Sequence, residues 1–133
     1  MAGLALKLAP KERVLINGVV VENGPRRAQL LIKTDNASVL RLRDALDASD
    51  VIGPASKAYF AAQTCVAGEV SVDEAEQNIT PLLSKLDALD GGEASTGAVQ
   101  AVKRALDEGN LYRVMRSLRP LVDKERERAA EAV

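Results

Sequence analysis

Clustered cationic side chains are the residues of this chain best suited to chemistry, and the chemistry they suit is phosphate binding. Seven of them lie between residues 11 and 43: Lys11, Arg13, Arg26, Arg27, Lys33, Arg41 and Arg43. Side chains two apart on a strand point the same way, so we expect Arg41 and Arg43 to share a face. A hairpin of the fourth and fifth predicted strands would add Arg27 and Lys33. Such a face predicts salt-sensitive contacts with phosphates, although a solvated sheet face paired with nearby acids stays equally open.

A second basic stripe lies near the C-terminus, in a segment with helical periodicity. Arg113, Arg116 and Arg119 recur every three residues, and Tyr112 precedes them at a predicted helix–helix corner. The stripe suits either anion binding or the exposed face of an amphipathic helix that pairs with Asp107, Glu108 and Asp123. We assign Tyr112, Arg113, Arg116 and Arg119 to a hypothetical partner-binding surface.

The composition argues against most enzymatic sites. The chain has no His, one Cys and three aromatic residues, which removes His-based catalysis and the common zinc sites. No nucleotide-binding loop or dinucleotide fingerprint occurs, so we predict no catalytic residue, no metal site and no cofactor. The lone Cys65 and the lack of a ~20-residue apolar run lead us to expect a cytoplasmic protein without a membrane span.

The charges divide the sequence into two parts. Residues 1–46 contain eight cations and four acids, whereas residues 47–133 contain ten cations and fifteen acids. We therefore predict a basic β-rich subdomain at 1–46 and a helical subdomain at 47–133.

The elements that must position these residues follow from periodicity and turn signals. Five strands are predicted: 4–9, 13–16, 19–21, 26–33 and 38–43. The turns between them are predicted at Asn17-Gly18, Asn23-Gly24-Pro25 and 34–37. Three successive valines in the third strand indicate burial on both faces. An antiparallel meander, sandwich or partial barrel would accommodate this spacing.

Helical patterns replace the strands after Leu46. Four helices are predicted: one from Pro54 to Gly68, one opened by a Ser71 cap, one capped by Ser95 or Thr96, and one capped by Asn110. Pro81 either kinks the second helix or opens a new one. The charged tail from Asp123 to Val133 is expected to fray. The predicted fold class is α+β, an antiparallel sheet followed by a helical bundle.

Several short motifs resemble the FlbT family of flagellin regulators. They run in family order over nearly the whole chain: Leu4-Ala5-Leu6-Lys7, Pro10 before Glu12-Arg13, Ile16-Asn17-Gly18, Asn23-Gly24 before basic residues, Val39-Leu40-Arg41, Pro54 with Tyr59-Phe60, and Gly109-Asn110 before Tyr112 and Leu118–Leu121.

The resemblance implies a cytoplasmic post-transcriptional regulator that acts on the 5′ untranslated region of flagellin mRNA. It implies repression of translation and promotion of mRNA turnover, with the small protein FlaF in the same pathway. It transfers no RNA-contacting residues, so the site residues above remain inferences from charge and strand geometry. An alternative is a protein-binding adaptor that acts with FlaF and flagellin and affects mRNA indirectly. Exposed sheet edges also suggest a homodimer.

Overall fold

Five short strands form two antiparallel sheets at the N-terminal end of the chain. The computed structural model describes residues 3–17, 19–34, 37, 39–90 and 93–131, without the side chains of 88–90 and 93–96. β1 (Leu4–Leu8) pairs with β4 (Ala28–Ile32), while β2 (Arg13–Ile16) lies between β3 (Val19–Glu22) and β5 (Val39–Arg41). The predicted antiparallel strands are thus confirmed. The predicted hairpin of the fourth and fifth strands is wrong, because β4 pairs with β1 and β5 with β2.

The two sheets enclose a small apolar core of their own. Leu6 and Leu8 of β1 pack with Val14 of β2 and Val39 of β5, and all four side chains are buried. Leu15 and Leu40, which alternate with Val14 and Val39, instead contact the helical core. The β2–β5 pair is therefore buried on both faces, and it forms the layer that joins the strands to the helices.

β3 does not have the double burial that its valine run predicts. Val19 and Val20 are 60% and 59% exposed. The reason is position, because β3 is an edge strand paired only with β2 within the described residues. The predicted turn residues Gly18, Asp35 and Asn36, and Ser38 at the start of the predicted fifth strand, lie outside the described residues. Asn17 has the positive φ, 49°, that its predicted turn requires.

The fifth strand ends earlier than its sequence suggests. β5 stops at Arg41, and residues Leu42–Asp44 form a single 3₁₀ turn. Arg41 and Arg43 are therefore not neighbours on one strand face, and that prediction is wrong. The turn redirects the chain toward the helices, which begin after a second 3₁₀ turn at Ala48–Asp50.

The described residues form five helices where four were predicted: α1 (Pro54–Val66), α2 (Val72–Ile79), α3 (Leu83–Asp90), α4 (Glu93–Asp107) and α5 (Leu111–Glu131). The extra one arises at Pro81, where a 3₁₀ turn at Thr80–Leu82 divides the predicted second helix. Ser71 caps α2 as predicted, since its hydroxyl accepts from Glu74 N at 3.1 Å. Asn110 likewise caps α5, accepting from Arg113 N at 3.0 Å. The prediction that Ser95 or Thr96 caps the next helix is wrong, because α4 begins at Glu93 and both residues lie inside it.

α5 is the longest helix, and it packs against α1 and α4. The prediction that the tail from Asp123 frays is wrong, because the helix continues to Glu131 and Glu125 is buried. The Glu125 carboxylate accepts from the backbone N–H groups of Ala55 and Ser56 at 2.8 and 3.2 Å, and from the Ser56 hydroxyl at 2.5 Å. It thereby satisfies the free amides at the start of α1 from 70 residues away. In the described part of the chain, every helix is too short or too polar to cross a membrane.

Candidate nucleic-acid interface

A basic cleft of about 450 Å³ lies between β1, the end of β5 and α5, and we call it the α5 cleft. Four cations from three elements line it: Arg41 from the end of β5, Arg43 from the 3₁₀ turn, and Arg116 and Arg119 from α5. Asp44 and the rings of Tyr59 and Tyr112 are also in its wall. Two of the predicted RNA-binding cations thus lie beside two of the predicted partner-binding cations.

A second basic cleft, of about 500 Å³, opens at the end of the β1–β4 sheet, and we call it the sheet cleft. Its charged residues are Lys7, Arg27 and Arg43. Arg43 lines both clefts, so the two form one cationic surface around it. Lys7 was not among the cations predicted to bind phosphate. Its alternation with the buried Leu6 and Leu8 signals an outward side chain, but not its neighbours across the sheet.

Arg43 is held in place by the residues that follow it. The Tyr59 hydroxyl of α1 donates to the Asp44 carbonyl at 2.8 Å. Gln63 of α1 binds both backbone groups of Leu46, accepting from its N–H at 2.7 Å and donating to its carbonyl at 3.0 Å. These bonds fix the 3₁₀ turn on α1, while the Arg43 side chain remains 59% exposed and 3.8 Å from the Glu12 carboxylate.

Arg41 is engaged inside the protein rather than presented to solvent. Its Nε lies 2.7 Å from Glu12 Oε2 and its Nη2 lies 2.9 Å from Glu12 Oε1, so the pair is bidentate. Nη2 also donates to the Lys7 carbonyl of β1. The two side chains are only 15% and 7% exposed. Arg41 therefore joins the two sheets, and Glu12 neutralises most of its charge.

The electrostatics of Glu12 follow from this geometry. Hydrogen bonding from Arg41 lowers the pKa of the Glu12 carboxyl to about 2, and a further hydrogen bond from the Ala9 N–H, 2.9 Å from Oε1, acts in the same direction. Burial works against this shift but does not outweigh it. Glu12 is thus ionised at neutral pH and holds Arg41 at the base of the α5 cleft.

The side chain of Arg119 is held by contacts with its described neighbours, whereas that of Arg116 is not. The Arg119 guanidinium lies 5.7 Å from the centre of the Tyr59 ring, a cation–π arrangement, and its Nε lies 3.6 Å from Asp123 Oδ1. Burial raises the pKa of Tyr59, which keeps its hydroxyl protonated as a donor to Asp44. Arg116 is exposed and takes part in no ion pair among the described residues. It is the freest cation of the α5 cleft.

The other predicted site residues lie outside both basic clefts. Arg13 forms an exposed cross-strand pair with Glu22 at 2.9 Å, and Arg113 pairs with Glu108 at 3.4 Å. Lys11, Arg26 and Lys33 are exposed in the turns and at the end of β4. The structure therefore brings together Arg27, Arg41, Arg43, Arg116, Arg119 and Tyr112, and leaves Lys11, Arg13, Arg26, Lys33 and Arg113 apart from them.

A third cleft, of about 590 Å³, lies at the corner between α4 and α5, and we call it the corner cleft. Its walls combine apolar side chains with the polar residues Asn110 and Tyr112. Leu4 and Val72 are exposed there, and Cys65 is buried beneath. Glu108 is its charged group, and Tyr112 separates it from the α5 cleft, since that ring lines both. Burial raises the pKa of the Cys65 thiol, so the thiol stays protonated.

No group of three or more potential metal ligands comes together in the part of the chain that the structure describes. The residues that converge are guanidinium and ammonium groups next to tyrosine rings. This arrangement can bind phosphates and stack an unpaired base.

Comparison with known proteins places the chain in a family. Residues 4–129 match the family model described as "Flagellar protein FlbT". The chain belongs to the FlbT family. A FlbT relative from Bradyrhizobium diazoefficiens, named "Probable flagellum biosynthesis repressor protein FlbT 1", is 30% identical over 119 residues, which are 90% of this chain and 80% of the relative.

Two further FlbT relatives come from Caulobacter. The "Flagellum biosynthesis repressor protein FlbT" of Caulobacter vibrioides is 28% identical over 94% of this chain and 88% of its own length. A relative from a second Caulobacter species is 28% identical over 94% of this chain and 95% of its own length. No solved structure matches the chain. The resemblance to the FlbT family drawn from the sequence motifs is thereby confirmed.

Proposed function

We propose that this protein is a cytoplasmic post-transcriptional regulator of flagellin synthesis that binds the 5′ untranslated leader of flagellin mRNA, represses its translation and promotes its decay. Membership in the FlbT family and the repressor names of the relatives support a regulatory role in flagellum biosynthesis. The observation that carries the RNA-binding part is the cationic surface around Arg43. Cations from both halves of the chain meet there, although they are up to 112 residues apart, from Lys7 to Arg119.

The geometry suits single-stranded RNA better than a duplex. The cations line clefts rather than a flat face, and in the α5 cleft two tyrosines lie among them. Unpaired loops and ends of RNA offer phosphates together with bases that can leave the stack, which is how sequence is usually read in RNA. We therefore expect the leader to bind through an unpaired segment whose phosphates follow Lys7, Arg27, Arg43 and Arg116.

Salt dependence tests this function. We expect the double variant Arg43→Gln with Arg116→Gln to bind a flagellin leader at least ~10-fold more weakly. We also expect its plot of log affinity against log salt to flatten by about 1.4, since each phosphate contact on a single strand contributes about 0.7. The control is Lys57→Gln with Arg104→Gln, which changes the net charge equally at exposed helical positions outside the three clefts. Equal losses in both double variants would remove the surface around Arg43 from the function.

A second candidate is a protein-binding adaptor that acts with FlaF and flagellin, and the exposed edge of the sheet favours it. Val19 and Val20 of β3 project into solvent from an edge strand, where a segment of another protein can add as a further strand. A second copy of the chain can dock there in the same way. Capture of purified FlaF or flagellin after nuclease treatment, and its loss in Val20→Lys, would support this function. Loss of the complex on nuclease treatment alone would count against it.

A further inference from the structure

The proposed phosphate contacts lie in the sheet cleft and the α5 cleft, and the corner cleft takes no part in them. Apolar side chains, including the exposed Leu4 and Val72, share its walls with the polar residues Asn110 and Tyr112, and its charged group is the Glu108 carboxylate. A carboxylate repels phosphate, so this cleft does not continue the basic surface. It opens beside that surface, because Tyr112 lines both the corner cleft and the α5 cleft.

A cleft that combines apolar side chains, one tyrosine ring and a carboxylate is complementary to a nucleobase. A base has two apolar faces and a polar edge, and an exocyclic amino group on that edge donates hydrogen bonds to a carboxylate. Glu108 is half-exposed, and its only ion pair among the described residues is the 3.4 Å contact from Arg113 Nη1 to Oε2. Oε1 therefore remains available to accept from such an amino group.

Tyr112 is the aromatic residue in position to stack on such a base. Of the three aromatic residues in the chain, Tyr59 is 3% exposed and lies beneath Arg119. Phe60 packs against the helical core and lines none of the three clefts. Tyr112 is partly exposed and lines both the α5 cleft and the corner cleft.

We propose that the corner cleft binds one unpaired base that carries an exocyclic amino group, stacked on Tyr112 with its amino group bound by Glu108, while Arg43 and Arg116 hold the neighbouring phosphates. This inference rests on the proposed RNA-binding function and adds base selectivity to it. Adenine, cytosine and guanine carry the required amino group, whereas uracil does not. The cleft therefore selects against uracil.

Homopolymeric oligonucleotides of equal length test the selectivity. We expect the wild-type protein to bind oligo(A) and oligo(C) at least ~5-fold more tightly than oligo(U) at one salt concentration. Glu108→Gln is expected to abolish most of this preference, because its amide adds a donor that suits the carbonyl groups of uracil. Asp107→Asn is the control, since Asp107 is an exposed acid next in sequence that lines none of the three clefts.

Substitutions of the ring test the stacking. Tyr112→Ala is expected to weaken binding of oligo(A) about 10-fold, in line with the loss of one stacked base, and Tyr112→Phe to bind almost as the wild type. Neither changes the salt slope, whereas the Arg43 and Arg116 variants do. Thermal unfolding of each variant verifies that it is folded, and the Phe variant keeps the test valid if the Ala variant unfolds.

The outcomes separate the inference from the function on which it rests. Binding with a salt slope that depends on Arg43 and Arg116, but with equal affinity for all three oligonucleotides and no effect of Tyr112→Ala or Glu108→Gln, would overturn the base site alone. Failure of the wild-type protein to bind any RNA, leader included, would overturn both.

Discussion

The ion pair between Glu12 and Arg41 should be a principal stabilising contact of the sheet sandwich, and Glu12→Gln tests this. The pair is bidentate and the two side chains are 7% and 15% exposed. Replacing Glu12 leaves the Arg41 guanidinium half-enclosed without a counter-ion, while its bond to the Lys7 carbonyl cannot compensate for the lost charge.

The size of the effect follows from the pKa of Glu12. A carboxyl whose pKa falls from its ordinary value of 4.5 to about 2 on folding stabilises the folded state by at most roughly 3 kcal/mol at neutral pH. Because the α5 cleft admits water near the pair, we expect about 2 kcal/mol. The pKa is lowered in the folded protein, so this stability is complete above pH ~4.5 and is lost as the pH falls toward 2.

Urea unfolding of the wild type and of Glu12→Gln, at pH 7 and at pH 3, measures the contribution of this ion pair to the free energy of unfolding. The variant should lose about 2 kcal/mol at pH 7 and a smaller amount at pH 3, where the wild-type contribution is already declining. The matched control is Arg13→Gln, which breaks the exposed Arg13–Glu22 pair, with side chains 63% and 46% exposed, and should cost less than ~1 kcal/mol. Equal losses in the two variants, or no dependence of the difference on pH, would refute the reasoning.

Two further predictions concern the helical half. Glu125→Ala removes three hydrogen bonds to the start of α1 and should lower the free energy of unfolding by about 2–3 kcal/mol. Gly53→Ala should also destabilise the protein, since a Cβ there would lie 2.7 Å from the Glu125 carboxylate, whereas Gly24→Ala, with open space around it, should be nearly neutral. Thermal unfolding of the three variants measures these effects, and a Gly24→Ala variant as unstable as the other two would contradict the prediction. Gly109→Ala should cost about 1 kcal/mol because position 109 has φ +70°, and an unchanged melting temperature would contradict the role given to this glycine at the α4–α5 corner.

Local signals in the sequence predicted several helix boundaries, although not the start of α4 or the end of α5. The Ser71 and Asn110 caps and the stops at Gly68 and Gly109 depend on contacts within a few residues. Because such contacts depend on residue type and short spacing, they can be predicted from the sequence. The division at Pro81 was also visible, although the sequence left open whether the helix bends or restarts.

Long-range partners were not predictable in the same way. Strand period identified the strands, but β1 pairs with β4 and β2 with β5 across intervening chain, and no periodicity encodes that choice. Arg41 looked like a surface cation because its partner Glu12 is 29 residues away. Glu125 looked like part of a solvated tail because the amides that it caps are 69 and 70 residues away.

The candidate site shows the same limit. Charge alone located the cations of the N-terminal part and of α5, but assigned them to separate RNA-binding and partner-binding surfaces. The fold joins them, because the 3₁₀ turn that carries Arg43 is fixed to α1 by Tyr59 and Gln63. That placement brings Arg43 into the same cleft as Arg116 and Arg119.

Photochemical cross-linking of the purified full-length protein to a flagellin mRNA leader, followed by mass spectrometry of the linked peptides, tests the central claim most directly. We predict cross-links at Tyr112 and in the peptides that contain Arg43 and Arg116, and their suppression by unlabelled leader but not by a scrambled RNA of equal length. Cross-links confined to β3 or to α2, or a pattern that the scrambled RNA suppresses equally well, would contradict the account.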